Sequence, residues 1–139
     1  AADDLAFGAY NKAFAPTRTR FDWVSANEAN VDAYIADPLC GGDTTLGLFR
    51  DMLDGLGYIT RQSNSNKMDK SLPVFFIAGD RDPVGDMGRG VQKAYRCFKK
   101  AGLQDVNIHL YHGLRHETLN EASRQDGYKD VLDWLEARL

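Results

Sequence analysis

Three aspartates crowd "GDRDPVGD", residues 79–86, directly after the apolar run "LPVFFIA", and two histidines sit in "YHGLRHE", residues 111–117, after "VNIHL". Carboxylates so placed suit cation binding, phosphoryl chemistry or the orientation of an imidazole. A calcium loop opens well at Asp80 and Asp82, but its fifth position is Val84 and its twelfth Val91, where oxygen ligands are needed. A metal site from His109, His112 and His116 needs side chains that converge. On a strand of period two, His109 and His112 fall on opposite faces. The third reading pairs one aspartate with one histidine. A buried carboxylate bonded to an imidazole fixes its tautomer and stabilises the imidazolium, so the other ring nitrogen can act as a general base. Asp82 and His116 are the expected pair and Asp80 is the rival acid. Asp86 is expected to cap the following helix, and His112 to lie exposed or behind the pair. Such a dyad needs a nucleophile.

The elements that must position these residues are legible. A continuous apolar run like "LPVFFIA" is the mark of a strand buried on both faces, as in a parallel sheet covered by helices. From Val91 the positions Val91, Ala94, Tyr95, Phe98 and Ala101 predict a helix closed by Gly102. "VNIHLYHG" is a second strand, and "YKDVLDWLEARL" a last helix with Tyr128, Val131, Leu132 and Leu135 on one face and Trp134 as packing. Ligands and catalytic groups of open parallel sheets gather at the carboxyl ends of the strands. Both polar clusters lie there, so Asp82 and His116 should be neighbours on one rim. The series Asp80, Asp82, Val84 also resembles the Asp-x-Asp-x-Thr/Val of haloacid dehalogenase-like phosphatases, but no later lysine or paired-aspartate motif completes that pattern.

Residues 1–60 carry helical signals and no convincing strand. "SANE", residues 25–28, reads as a capping box with Ser25 as N-cap, opening a helix that presents Val31, Tyr34 and Ile35 and stops before Pro38. Leu46, Phe49, Leu53 and Leu56 predict a second helix ended by Gly57. The polar, turn-rich stretch 61–71 reads as a linker. Two parallel strands leave both edges open, so the second half reads as the tail of a larger sheet.

Composition narrows the classes. With 139 residues and 43% hydrophobic content the chain reads as globular. A net charge of -3 and a pI near 5.5 argue against nucleic acid as a partner. No apolar run approaches a membrane span. Cys40 and Cys97 form no disulfide or zinc pattern; as reduced thiols they point to the cytoplasm. The chain begins with Ala1 rather than methionine, so it is expected to be processed or a piece of something longer.

"LPVFFIAGDRDPVGD" followed by "VNIHLYHGLRHETLNE" resembles the last two strands of an α/β-hydrolase, in particular the monoacylglycerol lipase and lysophospholipase branch, which shares features with serine aminopeptidases. There the strand ends in Gly-x-x-Asp, here Gly79 to Asp82, and the next strand leads to the triad histidine, here His116. Residues 1–60, with "YNKAF", "RFDWVS" and "YIADPLCG", resemble that family's helical cap. The resemblance implies a partial α/β-hydrolase fold: cap segment 1–60, linker 61–71 and a β-α-β-α core portion 72–139. It implies Asp82 and His116 as catalytic acid and base, a lipid ester as substrate and no metal or organic cofactor. The aromatics Tyr10, Phe14, Phe21 and Trp23 would line an acyl pocket or form the cap's own core.

The family's nucleophile is a serine in Gly-x-Ser-x-Gly on a strand-to-helix turn. Ser25, Ser63, Ser65, Ser71 and Ser123 all lack that context. The nucleophile and the oxyanion-hole donors are therefore expected upstream, and the 139 residues alone are expected to be inactive. The strand at 74–78 should then self-associate through its open edge or take a companion chain. The alternatives are a stand-alone binding fragment that keeps a hydrolase shape, or another α/β-hydrolase chemistry such as a dehalogenase, an epoxide hydrolase or a peptidase.

Overall fold

A computed structural model describes residues 7–42 and 44–139. A 3-10 turn over Tyr10–Phe14 precedes α1 (Glu28–Ala36), α2 (Leu46–Ile59) and α3, a single turn over Gln62–Ser65. Then follow β1 (Val74–Gly79), α4 (Arg89–Lys100), β2 (Val106–Tyr111), a 3-10 turn over Thr118–Asn120 and α5 (Arg124–Glu136). The strands pair in parallel, in register from Val74 opposite Val106 to Gly79 opposite Tyr111.

The unbroken apolar run of β1 has a use on each face. Val74 and Phe76 turn to one side, where they join Ala101, Leu103, Val106, Tyr95 and Phe98 in the hydrophobic core; Phe76 meets Phe98 edge-on at 5.1 Å. Phe75 turns to the other side and stacks on Trp134 of α5 at 5.6 Å. One helix therefore covers each face, as alternation in a doubly covered strand requires. Among the described residues only β2 pairs with β1.

In the first sixty residues the helices are where periodicity puts them, but their ends and exposure differ. The N-cap of α1 is Asn27, whose side chain accepts from the Ala29 N–H, and not Ser25. Ser25 is 1% exposed and engaged elsewhere. The N-cap of α2 is Thr45, which accepts from the Leu48 N–H, and the helix runs past Gly57 to Ile59. Among the described residues its apolar stripe is largely exposed, Leu53 at 62% and Leu56 at 44%, while Phe49 packs against Phe7 at 5.9 Å. The stretch read as a linker holds the α3 turn, whose Ser65 is buried and whose Gln62 side chain donates to the Cys97 carbonyl on α4. No helix of the described residues is long and apolar enough to cross a membrane.

Candidate functional site

The site is built where β1 and β2 end. Backbone hydrogen bonds continue the sheet beyond the strands: the Asp80 N–H donates to the Tyr111 carbonyl and the Arg81 N–H to the Leu114 carbonyl, both at 3.0 Å. The loop after β2 thus lies directly on the end of β1, which only a residue without a side chain permits. A Cβ on Gly79 would stand 2.1 Å from the Leu114 carbonyl oxygen and 2.4 Å from that of Arg115.

This closure sets two aspartates of β1's end against two histidines of β2's loop. Asp82 is 6% exposed and divides its oxygens. Its Oδ1 accepts from the Val84 N–H at 2.8 Å, bracing the turn through Pro83, and its Oδ2 accepts from His116 Nδ1 at 3.1 Å. Asp82 thus braces the turn with one oxygen and meets the imidazole with the other. The hydrogen bond to Asp82 holds the His116 imidazole above its ordinary value, against burial, which pushes it down. Among the described residues no hydrogen bond engages His116 Nε2, and the side chain is 40% exposed.

Asp80 faces outward instead. It accepts from the Gly113 N–H and from His112 Nδ1, both at 2.8 Å, and the His112 side chain is 98% exposed. Asp86 does not cap α4, whose N-cap is Gly88; its carboxylate pairs with Arg89 at 2.6 Å. His109 lies on a different face of the sheet, stacked on Tyr111 and paired with Asp130 at 3.0 Å. The three histidines therefore go to three separate carboxylates, and the described residues hold no group of three or more candidate metal ligands.

The segment before α1 reaches across to His116. The Trp23 ring lies 5.3 Å from the imidazole, and Tyr10 packs edge-on against Trp23 at 5.2 Å. Trp23 and Phe21 also line a cavity of about 480 Å³ together with Phe7, Asn11, Tyr34 and Leu39. Phe14 stands apart from that cavity, under the Arg115 guanidinium at 4.0 Å. The four aromatics singled out in the sequence therefore divide: two line the cavity, one backs Trp23 and one supports Arg115.

Two residues that sequence reasoning passed over complete the site. Arg115 Nη1 donates to the Ser25 carbonyl at 3.1 Å and also to the Asp22 carbonyl. Glu121 is 1% exposed and accepts from the Ser25 hydroxyl at 2.8 Å, the Ala26 N–H at 2.9 Å and the Asn27 and Arg115 N–H groups at 3.2 Å. Their only signal in the chain is proximity to His116, since the donors to Glu121 from residues 25–27 lie more than ninety positions away.

All five serines are accounted for elsewhere. Ser25 is bonded to Glu121, Ser65 lies beside Cys97, Ser71 bonds Asp69, and Ser63 and Ser123 sit within or next to helices. What the site holds is a buried carboxylate bonded to an imidazole whose other nitrogen makes no hydrogen bond among the described residues.

Comparison with known proteins accords with this architecture. A monoacylglycerol lipase of Mycolicibacterium smegmatis is 29% identical over 119 residues, which are 85% of this chain and 40% of that protein. A thermostable carboxyl esterase from Bacillus coagulans, solved with glycerol, superposes with a TM-score of 0.88 at 24% identity, over 96% of this chain and 44% of that one. A lipase in an open form superposes with a TM-score of 0.77 at 26% identity, over 91% and 43%. The chain spans less than half the length of these relatives. The model of the family described as "Serine aminopeptidase, S33" matches residues 5–123, most of the chain. The protein is a member of that family of α/β-hydrolases, and the residues seen here make up part of its fold.

Proposed function

We propose that this chain carries the acid and base of a serine-hydrolase triad, Asp82 and His116, in an enzyme that cleaves carboxylic esters of the monoacylglycerol or lysophospholipid type. The observation that carries the reading is the hydrogen bond of 3.1 Å from His116 Nδ1 to a carboxylate that is itself buried. It sets the tautomer in which Nε2 accepts a proton.

The serine hydroxyl comes from a Gly-x-Ser-x-Gly turn in sequence preceding this segment, and the oxyanion donors come with it. The serine oxygen bonds to the ester carbonyl carbon as its proton passes to His116 Nε2. Collapse of the tetrahedral intermediate breaks the ester C–O bond, and the departing alcohol takes that proton. Water then attacks the acyl-enzyme by the same transfers and releases the acid. Asp82 stays ionised throughout and holds the imidazole in place.

Residues 1–60 act as the cap and 72–139 as the core portion, joined through 61–71. The cavity against Trp23 and Phe21 accepts the apolar part of the ester, with Tyr10 backing Trp23. The free thiols Cys40 and Cys97 accord with a cytoplasmic enzyme. The 139-residue chain alone does not turn over ester. A peptidase is the second reading, favoured by the description of the matching family.

The test is esterase turnover of the full-length enzyme on a monoacylglycerol. Asp82→Asn and His116→Ala each reduce kcat by about 10⁴-fold or more. Near-normal turnover in both ends the assignment. Amide cleavage surviving where ester cleavage is weak moves it to the peptidase.

A further inference from the structure

A carboxylate that is 1% exposed is costly unless its charge is met by donors. Glu121 meets it with four, about the number of lone-pair sites a carboxylate offers. The donors come from two places. Three belong to residues 25–27, in the segment that supplies Trp23; the fourth is the backbone N–H of Arg115, the residue before His116.

The residue after His116 is tied to the same segment. The Glu117 N–H donates to the Val24 carbonyl at 2.9 Å, and the Glu117 carboxylate accepts from Asn30 at 2.9 Å. The backbone on both sides of His116 is thus pinned to residues 24–27, and Glu121, a side chain from outside both segments, bonds both at once.

We propose that Glu121 is a positioning residue: by spanning the 25–27 backbone and the Arg115 N–H it fixes the loop that presents the His116 imidazole to Asp82. This rests on the triad reading for its catalytic meaning. The geometry itself requires only that the span be kept, not that the charge act on the imidazole through space. Glu121→Asp keeps the charge and both oxygens but is one methylene shorter, so it cannot bridge the two segments. Glu121→Gln keeps the length, and one oxygen remains for Ala26 and Arg115. Its amide faces Ser25, whose hydroxyl can turn to accept, and the Asn27 N–H, which keeps the Ser25 Oγ as acceptor at 3.0 Å.

The experiment is NMR titration of the His116 ring in the full-length enzyme, with its signal assigned by its loss in His116→Ala. Thermal melting runs beside it as the check on folding. Asp82→Asn sets the lower reference, the midpoint of His116 without its acid. The His116 midpoint is expected to fall in Glu121→Asp most of the way to that reference, and to return to the native value in Glu121→Gln.

A native midpoint in folded Glu121→Asp overturns the proposal, even with a lowered melting temperature, because the residue is then only structural. A fall in Glu121→Gln as large as in Glu121→Asp also overturns it, because charge rather than span is then responsible. Should Glu121→Asp fail to fold, Ser25→Ala replaces it, with a smaller fall expected and a native midpoint overturning the proposal. The readout needs no turnover. An active Asp82→Asn enzyme would end the triad reading and leave this result standing.

Discussion

Replacing Gly79 by alanine tests whether the closure of the two loops is what assembles the Asp82–His116 pair. The added Cβ stands 2.1 Å from the Leu114 carbonyl oxygen, where ordinary van der Waals contact begins at 3.4 Å. Both close atoms are backbone, so no rotamer change relieves the overlap, and the loop must retreat by about 1.3 Å. A retreat of that size carries the 3.1 Å hydrogen bond between His116 and Asp82 beyond about 4 Å, past any useful hydrogen bond. The bonds of 3.0 Å from Asp80 to Tyr111 and from Arg81 to Leu114 are lost or weakened with it. At about 1 kcal/mol for each of these bonds, the destabilisation is about 2–4 kcal/mol. Urea denaturation measures that loss, and the NMR midpoint of His116 measures the release from Asp82. A Gly79→Ala chain with native stability and a native His116 midpoint would show that the loop approaches β1 differently and would sink the account of the site.

The pH dependence follows from His116, whose pKa the bond to Asp82 raises above the ordinary 6.5. The base must be neutral to accept a proton, so kcat/KM of the full-length enzyme rises with pH through a midpoint above 6.5; a midpoint at or below it refutes the coupling. Stability runs the other way. The protonated pair contributes fully below 6.5 and its contribution fades as pH rises through the raised value, so the melting difference between wild type and His116→Ala narrows there. The edge of β1 that is unpaired among the described residues gives a further expectation. The isolated chain self-associates, or takes up a companion segment, through Val74–Ala78, and sedimentation showing a monodisperse, well-folded monomer would refute this.

Local pattern carried much of the fold and little of the depth. The run at 74–78 announces a doubly covered strand because Phe75 and Phe76 must both find partners, and they do, in Trp134 and Phe98. The pairing of Asp82 with His116 was legible because two parallel strands end on one rim whatever their loops contain. Ser25 was misread because a capping serine and a buried serine look alike in sequence. The cap lies two residues later at Asn27, and the Ser25 hydroxyl is taken by Glu121, ninety-six positions away. The leucines of α2 share a face as their spacing says, yet periodicity tells which residues lie together and not what covers them. Glu121 left no local mark, since its four donors are brought together only by the fold.

The arrangement also bears on how residues 22–27 and the two strand-end loops divide the work. Asp82 and His116 both follow the ends of the strands, and backbone bonds beside Gly79 bring their loops together. What keeps the imidazole in that position comes from residues 22–27: the carbonyls that hold Arg115, the Val24 carbonyl that holds Glu117, and the Trp23 ring against His116. These residues are therefore a wall of the site. Trp23 is shared, one contact with the base and another with the cavity, so a ligand seated in the cavity touches the group that packs the imidazole. An imidazole held from both sides has little orientational freedom left to lose, which is the condition under which positioning lowers a barrier in the proposed reaction. The same interlocking explains why a carboxylate as costly to bury as Glu121 persists so near the pair. It joins the two segments whose separation would set the imidazole free.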